Sequence, residues 1–312
     1  MEQNRQDIAE IITSGTQNVL GGDNPTVVSP PTPFDFKGNI TSHTSFYGDA
    51  MNDDNVNNLV GAIVPSVIVL IGFPEYGKST FVSSLYHLVM TKGKIGKYEF
   101  VDSETLAGFE RRSHVRNLEI MSEKRLDRTP LYADYLLSIL FRDSDTGNLI
   151  KLILSDRSGE VYRKYGVNEE IYSKDKLLPN ATHLVFMIDA EKLINDDLNV
   201  EMNDDLEFLV SRMNGSSIFN GNKKIDLIYN KMDKIIDNPQ KMDSFKSQAK
   251  EIEDLFPDDC VIQMIRRLSV KNPINNKDLQ DYLIYLLDSC SCKINEDEEL
   301  ETQINWVKNG RY

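Results

Sequence analysis

The 312-residue chain sets 35 basic against 49 acidic side chains, a net charge of −14, with 40% apolar residues. That balance argues against general nucleic-acid binding, which draws its affinity from lysines and arginines neutralising phosphates. Only the short runs Arg111–Arg116 and Glu123–Arg128 offer a local exception. No stretch approaches the ~18 unbroken apolar residues of a bilayer span, and the first residues lack a basic region followed by an apolar one, so no secretory signal is expected. Three cysteines (Cys260, Cys290 and Cys292) make an odd count that suits a reduced, cytoplasmic protein better than a disulfide framework.

Residues 1–58 are rich in Asn, Asp, Thr, Ser, Gly and Pro and read as a flexible leader. Within it, Ile8, Ile11 and Ile12 would share one face of a short helix, either a frayed terminal helix or a segment that docks on a partner. Residues 59–290 alternate apolar strands with amphipathic helices. Strands are expected at Val67–Ile71, Leu136–Phe141, Leu149–Ser155, His183–Asp189, Ile225–Tyr229 and Val261–Leu268, and helices at Lys78–Met90, Met202–Met213, Pro239–Leu255 and Lys277–Ser289. The turn signal "RDSDTGN" (Arg142–Asn148) makes the second and third strands an antiparallel hairpin. The remainder predicts an α/β fold: a mostly parallel sheet with one antiparallel edge strand and helices on both faces. Residues 291–312 form an acidic tail containing "NEDEELE", in which Trp306 either packs on the domain or contacts a partner.

The first strand runs into Gly72-x-x-x-x-Gly77-Lys78-Ser79, the phosphate-binding loop pattern. Its glycines let successive N–H groups, including those of Glu75, Tyr76 and Thr80, turn inward toward phosphate, and the helix that follows adds its positive end. Lys78 would reach the β- and γ-phosphates, and Ser79 would offer a hydroxyl to Mg²⁺. The loop does not choose the base. "NKMD" at the end of a later strand does: Asp233 can accept from guanine N1–H and its 2-amino group, whereas adenine would leave it unpaired at a cost of about 1–3 kcal/mol. Asn230 would tie the loops together and Lys231 would lie along the base. The next strand ends in Ser269-Val270-Lys271, whose N–H groups could hold guanine O6. Between these segments "SDRSGE" delivers Asp156, which would hold Mg²⁺ through a water, and Gly159, whose N–H would contact the γ-phosphate, a contact present only with the triphosphate. A threonine for Mg²⁺ is expected between the first helix and the hairpin. Thr129 is preferred for its place in the order of elements, with Thr105 as the competitor.

Together these segments resemble the Ras-like (translation-factor-related) P-loop GTPases over about Val67 to Ser289. "ETLAGFERR" (Glu104–Arg112), "DRTP" (Asp127–Pro130) and "DRSGEVY" (Asp156–Tyr162) resemble, more narrowly, the bacterial double-GTPase group of conflict and phage-defence neighbourhoods. The resemblance implies a Ras-like G domain that uses GTP/GDP and Mg²⁺ as a switch for an effector or regulatory protein, and it supports Thr129. A GTP-dependent homodimer is one form such a partner could take.

One departure bears on turnover. Ras-like enzymes place glutamine after Asp-x-x-Gly to orient water, and here the residue is Glu160. Its negative charge near the γ-phosphate predicts slow hydrolysis, on the order of unstimulated Ras at about 10⁻⁴–10⁻³ s⁻¹. Arg128 or Arg157 could offset that charge, or both could form structural ion pairs. Three functions follow: a slow GTPase switch; a module that holds nucleotide with little turnover; and a P-loop kinase or ATPase, for which Asn230 and Asp233 would be accidental.

Overall fold

The computed structural model describes residues 48–52, 63–117, 135–216, 218–219, 223–266 and 277–291. Its central strands are apolar on both faces because helices cover both. β1 (Ser66–Ile71), β5 (Leu149–Asp156), β6 (His183–Asp189) and β7 (Lys224–Asn230) pair in parallel in the order β5-β1-β6-β7, and β8 (Val261–Met264) follows β7. Along β1 the side chains alternate between two cores: Val67, Val69 and Ile71 face one, Ile68 and Leu70 the other. Such continuously buried strands are the mark of a parallel sheet sandwiched between helices.

On the antiparallel side, β4 (Tyr135–Asp143) forms the expected hairpin with β5, in register from Tyr135↔Asp156 to Arg142↔Leu149. The Asp143 carboxylate accepts from the N–H groups of Asp145 (2.9 Å) and Thr146 (3.4 Å), and Gly147 takes the positive φ that closes the turn. Beyond β4 the sheet continues into β3 (Tyr98–Asp102) and β2 (Lys94–Ile95). This small hairpin turns at Gly96, with φ +60°, and is too short and too charged to announce itself by periodicity. β8 ends at Met264, and Arg266 donates its N–H to Asp278 at 3.0 Å; residues 267–268 of the expected strand lie outside the described residues.

One core is closed by α1 (Lys78–Lys92), α2 (Leu106–Asn117) and α9 (Lys277–Ser291). The α9 residues Leu279, Tyr282, Leu283, Leu286 and Leu287 are buried at helical spacing. The other core lies under α3 (Gly159–Val167), α4 (Glu169–Ser173), α5 (Leu177–Asn180), α6 (Ala190–Leu193), α7 (Asn199–Gly215) and α8 (Pro239–Glu253). α8 starts where Asn238 accepts from the Lys241 N–H at 3.1 Å, with proline in its first turn.

Residues 48–52, which composition assigns to the leader, are seated on the domain. Met51 exchanges N–H···O bonds of 2.9 and 2.7 Å with Leu136 at the start of β4, and its side chain is buried. A methionine that completes a core beside a strand outweighs the polar composition around it. Among the described residues, no helix is long and apolar enough to cross a membrane.

Candidate nucleotide site

β5 and β6 flank β1 on opposite sides, so the connections leaving the carboxyl ends of β1 and β5 diverge there and open a crevice. Gly72 begins the loop because a Cβ at that position would lie 2.8 Å from the Met187 carbonyl oxygen. At the other end Gly77 takes φ +91°, and a Cβ there would meet Asn230 Nδ2 at 2.4 Å. Glu75 also carries a positive φ of 70°, a strained conformation for a side-chain-bearing residue. No side chain caps the N-terminus of α1, and a helix start of that kind is suited to an anion.

Lys78 folds back across the loop and donates to the carbonyls of Gly72 (2.5 Å) and Phe73 (3.2 Å). Burial lowers its pKa to about 8, opposed by the negative charges of Asp156 and Glu160. An ammonium desolvated among carbonyls is poised for a phosphate, whose charge would compensate that burial. Tyr162 supports this arrangement from below, with its hydroxyl on the Leu70 carbonyl at 2.7 Å and its ring 5.8 Å from the Lys78 nitrogen.

Three strand ends bring the other expected residues to the loop. From β5, Asp156 accepts from the Ser79 hydroxyl at 2.7 Å while nearly inaccessible to solvent. Gly159, three residues on, packs so closely that a Cβ would lie 2.2 Å from Pro74 N and 2.3 Å from Phe73 C. From β7, Asn230 Nδ2 donates to the Tyr76 carbonyl at 3.1 Å, which ties the two loops together as expected. Lys231 adopts φ +65°, and its ammonium pairs with Asp189 at the end of β6. Asp233 follows in a single 3-10 turn, Met232–Lys234. The Tyr76 ring stacks edge-on to Phe73 at 5.6 Å, with the Lys192 ammonium 5.2 Å from its centroid. Thr80 lies in the first turn of α1 and is half-buried. Glu160 sits in the first turn of α3, behind Ser158, whose hydroxyl accepts from the Glu160 N–H.

Ser79 and Asp156 set hard oxygen donors side by side, which would suit Mg²⁺ held by the hydroxyl, by the carboxylate directly or through a water, and by substrate phosphates. Among the described residues no three His, Cys, Asp or Glu side chains form a metal cage, and a metal completed by phosphates requires none.

Arg157 does not reach the loop. It forms a fully buried ion pair with Asp175 and also donates to the Tyr165 hydroxyl at 3.4 Å, so of its two candidate roles the structure favours the structural one. Thr105 is likewise committed elsewhere: fully buried, its hydroxyl accepts from the Ser138 N–H at 2.8 Å. Thr129, Arg128, Ser269, Val270 and Lys271 lie outside the described residues. Sequence reasoning passed over Asp189, whose only signal is an acid at a strand end, and gave Arg112, within the "ETLAGFERR" motif, no role of its own; it pairs with Asp156 at 3.1 Å.

A glycine loop between a buried strand and an uncapped helix, crossed by a lysine and met by the strand-end residues Asp156 and Asn230, defines a P-loop nucleotide-binding domain of the Ras-like kind. The chain matches the Double-GTPase 2 family model over residues 66–287 and belongs to that family; it is a GTP-binding protein. Among solved structures, the bacterial selenocysteine-specific elongation factor EF-Sec is 13% identical at a TM-score of 0.36, over 73% of this chain and 29% of that one. Two mutation variants of SsGBP are each 16% identical, at TM-scores of 0.37 and 0.36, over 73% and 72% of this chain and 58% and 57% of theirs. The chain thus spans less than two thirds of each of these proteins. No curated protein matches it.

Proposed function

We propose that this chain is a Mg²⁺-dependent GTPase that converts GTP slowly to GDP and phosphate and acts as a conformational switch for a protein partner. The observation that carries the reading is the 2.7 Å bond from Ser79 to Asp156, which joins the phosphate loop to the Asp-x-x-Gly segment. Mg²⁺ held there with the phosphates would neutralise charge that develops during transfer. The chain's own residues do the rest. Lys78 neutralises the β- and γ-phosphates, and Gly159, packed against the loop at Phe73 and Pro74, offers its N–H to the γ-phosphate. Asp233 accepts from guanine, and Thr129 is the threonine that would serve Mg²⁺ and the γ-phosphate. Glu160 orients water less well than a glutamine, so turnover is slow until a partner or Arg128 offsets its charge. Hydrolysis then releases the segment after Gly159, which changes the surface offered to an effector or to a second copy of the chain. The cytoplasm, and anti-phage defence in particular, is the setting that the family resemblance suggests.

One observation favours a second reading, a module that holds nucleotide with little turnover. Glu160, in the first turn of α3 directly after Gly159, is an acid where a water-positioning amide is usual. A time course of phosphate release from GTP and from ATP, with Lys78→Ala as control, tests both. The switch reading expects slow, GTP-selective release that the variant loses. Retained GTP binding without release selects the module, and equal release from ATP overturns the assignment of Asn230 and Asp233.

A further inference from the structure

Arg112 lies on α2, at the end of the "ETLAGFERR" motif, where the sequence gives it no individual role, yet its side chain is 13% exposed and engaged on three sides. Its Nε donates to Asp156 Oδ2 at 3.1 Å, its Nη1 donates to the Gly108 carbonyl at 2.9 Å, and its guanidinium lies 3.9 Å from the centroid of the Tyr135 ring. The other carboxylate oxygen, Oδ1, is the one that accepts from Ser79. With one oxygen held by a planar cation and the other by the loop hydroxyl, the Asp156 carboxylate is fixed in rotation.

The helix that carries Arg112 is itself held in place. The Gly108 N–H donates to the Gly48 carbonyl at 2.9 Å, and a Cβ on Gly108 would lie 2.4 Å from the Ala50 nitrogen. Phe109 stacks on Tyr86 of α1 at 4.9 Å with a 7° interplanar angle. Arg112 therefore belongs to a packed scaffold rather than to a solvated helix face.

We propose that Arg112 is a positioning residue for the metal carboxylate: it holds Asp156 turned with Oδ1 toward Ser79, and so sets the affinity of the nucleotide site for Mg²⁺. The assignment rests on the Mg²⁺-dependent reading above. Partners that orient a metal-ligating carboxylate typically cost 10–100-fold in metal affinity when removed. Arginine suits the task because its fork engages Asp156 and the Gly108 carbonyl together, which a lysine point charge cannot do. The paired carboxylate balances its charge, and it bonds the oxygen that Ser79 leaves free.

The test uses the full chain loaded with mant-GDP, whose release is followed by fluorescence as free Mg²⁺ is titrated, alongside a thermal melt. Arg112→Gln should raise the half-saturating Mg²⁺ by about 10–100-fold, and Arg112→Lys should recover part of that loss. A melt lowered with no change in the Mg²⁺ midpoint, or a midpoint that falls, overturns the proposal. If Arg112→Gln does not fold, Arg112→Lys decides, and a midpoint equal to wild type overturns it. A wild type that binds mant-GDP but releases it independently of Mg²⁺ removes the metal and this assignment with it. A wild type that binds no mant-GDP sinks the guanine-nucleotide reading itself.

Discussion

The two ends of the parallel strands both bury ionisable groups, and they use them differently. At the amino end, His183 bonds Ser289 at 2.7 Å, and Asp226 accepts from the hydroxyls of Tyr282 (2.7 Å) and Tyr285 (2.9 Å). Every one of those partners lies on α9, so these polar groups fasten one helix to the sheet. At the carboxyl end, Asp156, Asp189 and Asn230 reach across between loops and strands distant in sequence. There the polar groups tie the strand ends to one another and to the phosphate loop. Arg157 breaks the geography: it follows a carboxyl end yet is closed off with Asp175, as the amino-end groups are. Position along a strand therefore does not set a polar residue's role; the completeness of its partners does.

The largest expected effect tests that exception. Arg157→Ala strands a buried Asp175 and should cost about 3–5 kcal/mol in chemical denaturation. A loss under about 1 kcal/mol would mean the pair is not closed as described.

The amino end should show itself through acid. Burial, with the nearby Lys224 charge, lowers the His183 pKa to about 4, against about 6.5 unfolded. Between those values the unfolded chain binds a proton that the folded chain refuses, so stability falls as pH drops from about 6.5 toward 4 and the loss levels off below. The full loss is about 3 kcal/mol. Denaturation of wild type and His183→Gln from pH 7 to 4.5 isolates it, since carboxylate effects are common to both; parallel curves would refute the assignment.

A smaller effect marks the carboxyl end as a ligand site. Asp233→Ala should cut the preference for GTP over ATP by about 1–3 kcal/mol, read by competition binding, with melting nearly unchanged. A variant that melts early but keeps its preference would place Asp233 among the fastening groups instead. The least effect is expected at the rim. Arg111 is exposed, its side chain 70% accessible where it pairs with Asp49, so Arg111→Ala should cost under about 1 kcal/mol of stability. A larger loss would show that the Gly48–Asn52 segment depends on that pair.

How much was legible follows from the range of each signal. The phosphate loop, the central strands and α9 could be read directly, because burial on both faces or along a helical stripe writes apolar periodicity into contiguous residues. The β2–β3 hairpin and the short α4 to α6 were not read, since elements of two to five residues are too short for a periodicity to repeat recognisably. α2 was missed because "LAGFERRSHVRN" is polar over much of its length; Phe109, buried against α1, anchors it. Of the site, Lys78, Ser79, Asp156 and Gly159 stand in local patterns. Arg112 does not, because its partner Asp156 is 44 positions away and nothing near it in sequence signals the pair.

The sequence by itself determined the class of fold and the kind of ligand. Alternating burial and a glycine-lysine turn after a strand follow from local sterics and need only neighbouring residues. Tertiary structure alone decided which arginine serves the site. Arg112 and Arg157 are chemically the same cation, and only folding shows that one pairs with the loop-facing carboxylate while the other is sealed against Asp175. A charge takes its role from where its partner lies and how far water is excluded around the pair, and both depend on contacts between residues far apart in the chain.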